Sequence, residues 1–322
     1  MKVENCYFVA MRKWIAIVVA FILILSLIYW MVPVQLEVHQ NTIVAVKTTA
    51  FTRQIFDEQK WQWWPGTKAN SKLASARFEY HGNSYTVLQK KLTSLVIEVS
   101  NEKDSILTEL FFIPIQSDSI QLNWVGIQKT RLNPLNRVKK RSWIRGIDAD
   151  MNFILEKIKS FYSDEDNVYG FHIEKTIVAD SNYMFTSLRT KTYPSTELIY
   201  ESVEKLKHYI QMNNAQPTGF PMLNIYRNND SSYITKLALP VNKQLKNSGD
   251  IQYRWMLKGG NILVTEVRGG PYKIERAFSE IQNYVQDHQR TAPAIPFQSL
   301  ITDRRAEPDT NRWVTKIYWP VM

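Results

Sequence analysis

The alternation of apolar and polar positions predicts a strand-rich first half that ends in one long helix. Three segments have apolar side chains at alternate positions and are predicted as strands, at residues 94–100, 106–115 and 120–128. Residues 148–162 instead carry apolar side chains at helical spacing. The acidic stretch that follows at 163–167 predicts a solvated linker, and we place a domain boundary there.

The second half of the chain contains one unit that occurs twice. The segment YITKLALPV at 233–241 returns as WVTKIYWPV at 313–321, and each copy follows strands and an amphipathic helix. Ser195 or Thr196 is the candidate N-cap of the first helix, and Pro271 suits the first turn of the second helix. The repeats, about 172–241 and 252–322, predict two βαββ units that face each other across a pseudo-twofold axis. A groove between such units is a common place for a ligand site.

An uncharged run of nineteen residues, 14–32, stands apart from both halves. As a helix it would be about 28 Å long, close to the roughly 30 Å of a bilayer core. Arg12 and Lys13 precede it, which favours a cytoplasmic N-terminus. The pattern predicts a cytoplasmic tail at 1–13, a transmembrane anchor at 14–33, and a single-pass protein of the bacterial inner membrane with exported domains. A cleaved signal peptide is the alternative, but its apolar region is usually shorter.

Composition and charge add candidate partners. The 322 residues are 44% hydrophobic, which is typical of folded domains, and the single cysteine, Cys6, excludes an intrachain disulfide. The net charge is +10, and basic residues are densest at 131–145. Such a basic segment could bind nucleic acid, and only the predicted export of the domains excludes that partner. The remaining interpretations of the segment are a solvated loop, a scaffold surface for a protein partner, or a surface that contacts anionic lipid headgroups. The lipid contact would use Arg137, Lys139, Lys140 and Arg141.

The first half resembles the START-type helix-grip superfamily, also called SRPBCC or polyketide-cyclase-like. The resemblance covers roughly residues 36–162, within a domain that we assign to 34–162. It rests on AFTRQIFDEQKWQWWPG near the front and on the long helix at the end. In that family a curved antiparallel sheet wraps the last helix and encloses an apolar cavity. Trp61, Trp63 and Trp64 would line such a cavity here, or else they are core residues.

The second half, after a linker at 163–171, is similar to the GyrI-like effector-binding domain found behind AraC- and MerR-type regulators. The segments that carry this resemblance are GGPYKIERAFSEIQNYV, AIPFQSLITDR and WVTKIYWPV, within residues 172–322. The resemblance implies an aromatic cleft for cationic or amphipathic drugs, often with a buried glutamate, and some stand-alone relatives resemble hydrolases of strained small molecules. This sequence departs from the pattern because it lacks a helix-turn-helix segment and has Lys316 where many relatives carry glutamate.

Aromatic side chains dominate the candidate ligand site in the second repeat. We expect the site to be formed by Tyr253, Trp255, Glu266, Tyr272, Trp313, Lys316, Tyr318 and Trp319. Strand alternation places Trp313 and Trp319 on one face and Lys316 on the other, with Tyr318. Glu266 is the one candidate catalytic residue. If it is buried, its pKa would rise unless a cation such as Lys316 pairs with it.

Standard catalytic and cofactor signatures are absent from the sequence. The five histidines are scattered singly, and neither metal-ligand spacing nor a GxSxG motif is present. We therefore expect no cofactor and no metal. The favoured fold is α+β, with a helix-grip antiparallel sheet on a long C-terminal helix, a duplicated SHS2-type module and one transmembrane helix. The favoured function is binding of an apolar, amphipathic or cationic small molecule. The alternative is a hydrolase of a small activated or strained substrate, with Glu266 as base and Tyr318 orienting it.

Overall fold

The computed structural model describes residues 2–31, 35–65, 77–129, 134–179 and 181–322. The chain divides into two units, Met1–Ser163 and Asp164–Met322. Each unit contains one antiparallel sheet together with helices, so the predicted α+β class is confirmed.

The first unit is a curled sheet with a long helix at its end. Its described elements are α1 (Lys2–Met31), β1 (Gln35–Val44), α2 (Thr48–Ile55), β2 (Arg77–Tyr80), β3 (Asn83–Lys90), β4 (Ser94–Ser100), β5 (Ser105–Gln116), β6 (Ser119–Lys129) and α3 (Pro134–Tyr162). The strand order is β1-β6-β5-β4-β3-β2, so the first strand pairs with the last. Helix α3 lies against β1 and begins well before its predicted start at residue 148.

The three clustered tryptophans lie in the core of this unit. The Trp61 ring is 4.8 Å from the rings of Trp63 and Phe78, and all three tryptophans are buried. The Trp61 Nε1–H donates to the Ile55 carbonyl at 3.0 Å, so this indole has its polar group satisfied inside the core. A second ligand cavity lined by these rings stays a prediction.

The predicted transmembrane anchor is wrong. A bilayer crossing needs about 20 consecutive, predominantly apolar residues. In the part of the chain that the structure describes, no helix meets the length and apolarity that a crossing requires. The predicted span, 14–33, lies in α1 up to residue 31, and its last two residues fall outside the described ranges. The localisation in a bacterial inner membrane is corrected with it, and the exclusion of nucleic acid, which rested on the same topology, is withdrawn.

One member of the predicted lipid-contact patch is buried. Arg137 is only 1% exposed, and its guanidinium lies 4.6 Å from the centre of the Tyr29 ring. Its Nη1 also donates to the Tyr29 carbonyl at 3.3 Å. Arg137 therefore joins α1 to α3 and cannot present its charge to a lipid surface. Lys140 is also engaged, by Asp104 at 3.0 Å.

The second unit is one eight-stranded sheet. Its elements are α4 (Glu165–Tyr169), β7 (Glu174–Ile177), β8 (Asn182–Thr190), α5 (Thr196–Met212), β9 (Met222–Arg227), β10 (Tyr233–Pro240), β11 (Gln252–Trp255), β12 (Asn261–Arg268), α6 (Pro271–Asp287), β13 (Phe297–Leu300) and β14 (Val314–Pro320). The strand order is β11-β8-β10-β9-β13-β14-β12-β7. If each strand is replaced by its counterpart in the other repeat, the result is the same order read from the opposite end. A pseudo-twofold axis therefore passes between β9 and β13.

The two helices of this unit begin where the sequence predicts. The Ser195 hydroxyl accepts a hydrogen bond from the Leu198 amide at 3.3 Å, which caps α5. Pro271 occupies the first turn of α6, where its missing amide hydrogen costs nothing. Each helix buries an apolar stripe, such as Val203 and Ile210 in α5.

The outer strands of the two repeats are exchanged, which the sequence did not predict. Strand β7 comes first in the chain but pairs with β12 of the second repeat, and β11 pairs back with β8 of the first. The two repeats are therefore interlocked, and neither completes its sheet alone.

The segment predicted as a solvated linker forms helix α4. Val168 and Tyr169 of this helix are buried. The Tyr169 hydroxyl donates to the Asp287 carboxylate at 3.0 Å, so α4 is tied to the end of α6. The acidic stretch 163–167 is exposed, as a solvated stretch would be, but Asp164 to Asp166 form the cap and first turn of a helix that was not predicted.

Candidate functional site

Strand β14 distributes the predicted site residues over the two faces of the sheet. Trp313 and Trp319 line a cleft between α5 and α6, which we call the helix cleft. Lys316 and Tyr318 line a cavity on the opposite face, which we call the sheet-face cavity. The predicted alternation along β14 is thereby confirmed, and these four residues belong to two separate cavities.

The sheet-face cavity has a volume of about 420 Å³. Its apolar walls come from both repeats and include Met222, Met256, Ile262 and Phe297. The Tyr318 ring stacks on Phe297 with centroids 5.1 Å apart and planes 16° apart, which gives the cavity a flat aromatic side. A flat aromatic wall next to flexible thioether chains suits a planar apolar guest.

A few polar groups converge on this cavity. Lys316 is half-buried, and its ammonium has no hydrogen-bond or ion-pair partner among the described residues. Asn182, which also lines the cavity, accepts a hydrogen bond from the Tyr253 hydroxyl at 2.6 Å. Burial raises the pKa of Tyr183 above its ordinary value, against a smaller opposing effect of Arg254, so its hydroxyl is neutral near pH 7.

Glu266 lies outside the sheet-face cavity. Its side chain is 40% exposed, and its carboxylate pairs with the Arg268 guanidinium at 2.9 Å. Lys316 is its direct neighbour across the β12–β14 ladder, but among the described residues the two form no ion pair. Glu266 is therefore not buried, and among the described residues it does not pair with Lys316. Glu266 instead lines a separate pocket of about 400 Å³, together with Arg268, Lys273 and Arg276.

The remaining aromatic candidates have different positions. Tyr253 does not line the sheet-face cavity but holds Asn182, which does. Trp255 and Tyr272 are 65% and 79% exposed, and neither lines the sheet-face cavity or the helix cleft. Sequence reasoning missed Phe297 and Met222, although both begin strands at equivalent places in the two repeats, one residue after Pro296 and Pro221.

Residues 175–322 match the family model described as the GyrI-like small molecule binding domain. This match confirms the GyrI-like domain that the sequence predicted at the C-terminal end. No protein with curated annotation is similar enough in sequence to match the chain.

Several solved structures are similar to parts of the chain. The C-terminal domain of EcmrR is 16% identical, with a TM-score of 0.37, over 47% of this chain and 98% of that one. A structure described as a hydrolase from Listeria innocua is 11% identical, with a TM-score of 0.36, over 47% of this chain and 91% of that one. A START superfamily protein from Mycobacterium smegmatis is 15% identical, with a TM-score of 0.27, over 39% of this chain and 97% of that one. These TM-scores are below 0.5, and no inference about this chain rests on them.

Proposed function

We propose that this protein binds a small aromatic or amphipathic molecule in the sheet-face cavity of its GyrI-like domain. The observation that carries the proposal is the cavity itself, about 420 Å³, with apolar walls from both repeats and a few converging polar groups. Ligand sites in proteins are commonly about 300–1,000 Å³ and have this composition. The match of residues 175–322 to a small-molecule-binding family supports the same function.

The charge of Lys316 sets the class of ligand that the cavity accepts. A half-buried ammonium that forms no ion pair with any of the described residues attracts an anionic or hydrogen-bond-accepting group and repels a cation. The ligand would therefore place its ring against Phe297 and Tyr318 and its polar end toward Lys316. A neutral or anionic amphipathic molecule fits this arrangement better than the cationic drugs that the resemblance implies.

We do not extend the proposal to hydrolysis. The hydrolase alternative needs a base beside the substrate, and Glu266 lies at an exposed position paired with Arg268. Tyr318, the suggested orienting group, lines the cavity without Glu266 beside it.

A blocking substitution tests the site. Ser299 lies on β13 and lines the sheet-face cavity, so Ser299→Phe should fill part of its volume. Ser187→Phe is the matched control, because Ser187 is exposed in β8 of the same sheet and lines neither cavity. The full chain would be screened by thermal shift against planar aromatic compounds of different charge.

Compounds that raise the melting temperature of the wild type should lose that effect in Ser299→Phe and keep it in Ser187→Phe. Equal shifts in both variants would mean that the compounds bind elsewhere. A flat response of the wild type to the whole panel would remove the proposed function.

A further inference from the structure

The helix cleft is a second cavity, separated from the first by the thickness of the sheet. Its volume is about 660 Å³, and it lies between α5 and α6, with residues from both helices in its walls. Trp319 lines it from β14, Trp313 lines it from the position just before β14, and Phe278 lines it from α6. The Trp319 Nε1–H is buried and has no hydrogen-bond acceptor among the described residues. A buried donor without an acceptor is destabilising, and a ligand oxygen in the cleft would relieve that cost.

Arg304 is the cation of this cleft, and the protein holds it in one place. Its Nη2 donates to the Gln298 amide oxygen at 2.7 Å and to the Thr315 hydroxyl at 3.2 Å. Its guanidinium lies 4.7 Å from the centre of the Trp313 ring, and its backbone amide donates to the Tyr200 hydroxyl at 2.9 Å. The Nε and Nη1 donors have no partner among the described residues, so they are available to a ligand.

The charge of Arg304 is not neutralised by the protein. No carboxylate of the described residues forms an ion pair with it, whereas the next residue, Arg305, pairs with both Asp303 and Glu204. Burial lowers the pKa of the Arg304 guanidinium, yet an arginine keeps its charge at neutral pH. Glu275, the acidic residue among the described residues that line the cleft, is exposed on α6. The positive charge of Arg304 is therefore half-buried in the cleft, whereas the negative charge of Glu275 faces solvent.

We propose that the helix cleft is a second ligand site, specific for a planar aromatic anion such as an aromatic carboxylate. The carboxylate would accept hydrogen bonds from the free guanidinium donors of Arg304, which match its planar geometry. The ring would lie among the aromatic side chains of the cleft, and a second oxygen acceptor would satisfy the Trp319 indole. None of the residues that line this cleft also lines the sheet-face cavity, so the site does not depend on that cavity.

Isothermal titration of the full chain with 2-naphthoate and with the neutral 2-naphthamide tests this site. The titrations use Lys316→Gln as the parent, because that substitution removes the cation of the sheet-face cavity and leaves the helix cleft intact. The parent should bind the carboxylate at least about tenfold more tightly than the amide. Arg304→Gln should abolish the difference. Arg305→Gln, the matched control at the neighbouring arginine, should preserve it.

Arg304→Lys covers the case in which Arg304→Gln fails to fold. It keeps the charge but loses the planar pair of donors, so it should reduce the preference for the carboxylate several-fold. A preference that persists unchanged in both Arg304 variants would overturn the proposal. Equal binding of the two compounds by the parent would also overturn it, as would the absence of measurable binding of 2-naphthoate.

Discussion

Charge reversal at Lys316 should reverse the ligand preference of the sheet-face cavity. Two unit charges about 4 Å apart interact by about 4 kcal/mol at an effective dielectric constant of about 20. Lys316 is half-buried, so solvent screening leaves about half of that energy, about 2 kcal/mol, which corresponds to about thirtyfold in affinity. Lys316→Gln should therefore weaken binding of an anionic ligand about thirtyfold, and Lys316→Glu should make the cationic analogue the tighter ligand.

The assay compares 2-naphthoate, 2-naphthamide and 2-naphthylmethylammonium by isothermal titration in an Arg304→Gln background, which removes the charge preference of the helix cleft. The internal repeat offers a matched control at Lys236, which lies eighty residues before Lys316 at the equivalent position of β10. Lys236 is also half-buried, lies 5.0 Å from the Tyr226 ring centre, and lines neither cavity. If Lys236→Glu alters the charge preference as much as Lys316→Glu does, or if neither alters it, the reasoning about the cavity is refuted.

Three further predictions concern stability. Gly126→Ala should destabilise the first unit by about 1–3 kcal/mol in urea unfolding, because its new methyl would meet β-branched methyl groups at 2.8 and 2.9 Å; unchanged stability would contradict this contact. Tyr169→Phe should cost the second unit about 1–3 kcal/mol, since it removes a hydrogen bond from the buried Asp287, and a silent substitution would mean that α4 is not docked. The hydrogen bonds from Lys205 lower the pKa of Asp250 below 3.8, so their stabilisation is present above that pH and is lost as the pH falls through the lowered value. Asp250→Asn should thus reduce the free energy of unfolding at pH 7 by less than about 1 kcal/mol, because the pair is exposed, and the difference should shrink as the pH falls through the lowered pKa of Asp250; a difference that stays constant into acid would contradict the assignment.

Local signals were enough to predict much of the second unit. The N-cap at Ser195, the first-turn proline at 271 and the alternation along β14 each depend on neighbours in sequence, and the structure has all three. The duplication also placed the strands, because equivalent segments adopt equivalent structures. These signals predicted that a site exists between two related halves.

Features that depend on distant contacts were not predictable. The exchange of β7 and β11 between repeats is a pairing choice, and strand patterns alone do not specify which edge a strand joins. Arg304 lies in an irregular loop, where no periodicity shows that its side chain turns inward to Gln298 and Thr315. The anchor prediction was wrong because it rested on an uncharged run alone, and no helix of the described residues reaches the length and apolarity of a crossing.

A crystal structure of the full chain with 2-naphthamide tests the central claim most directly. We predict that the naphthalene ring lies in the sheet-face cavity, against the stacked pair Phe297 and Tyr318, with its amide oxygen toward Lys316. A structure in which Met222 and Met256 fill that space, with the compound bound elsewhere or absent at saturating concentration, would contradict the account.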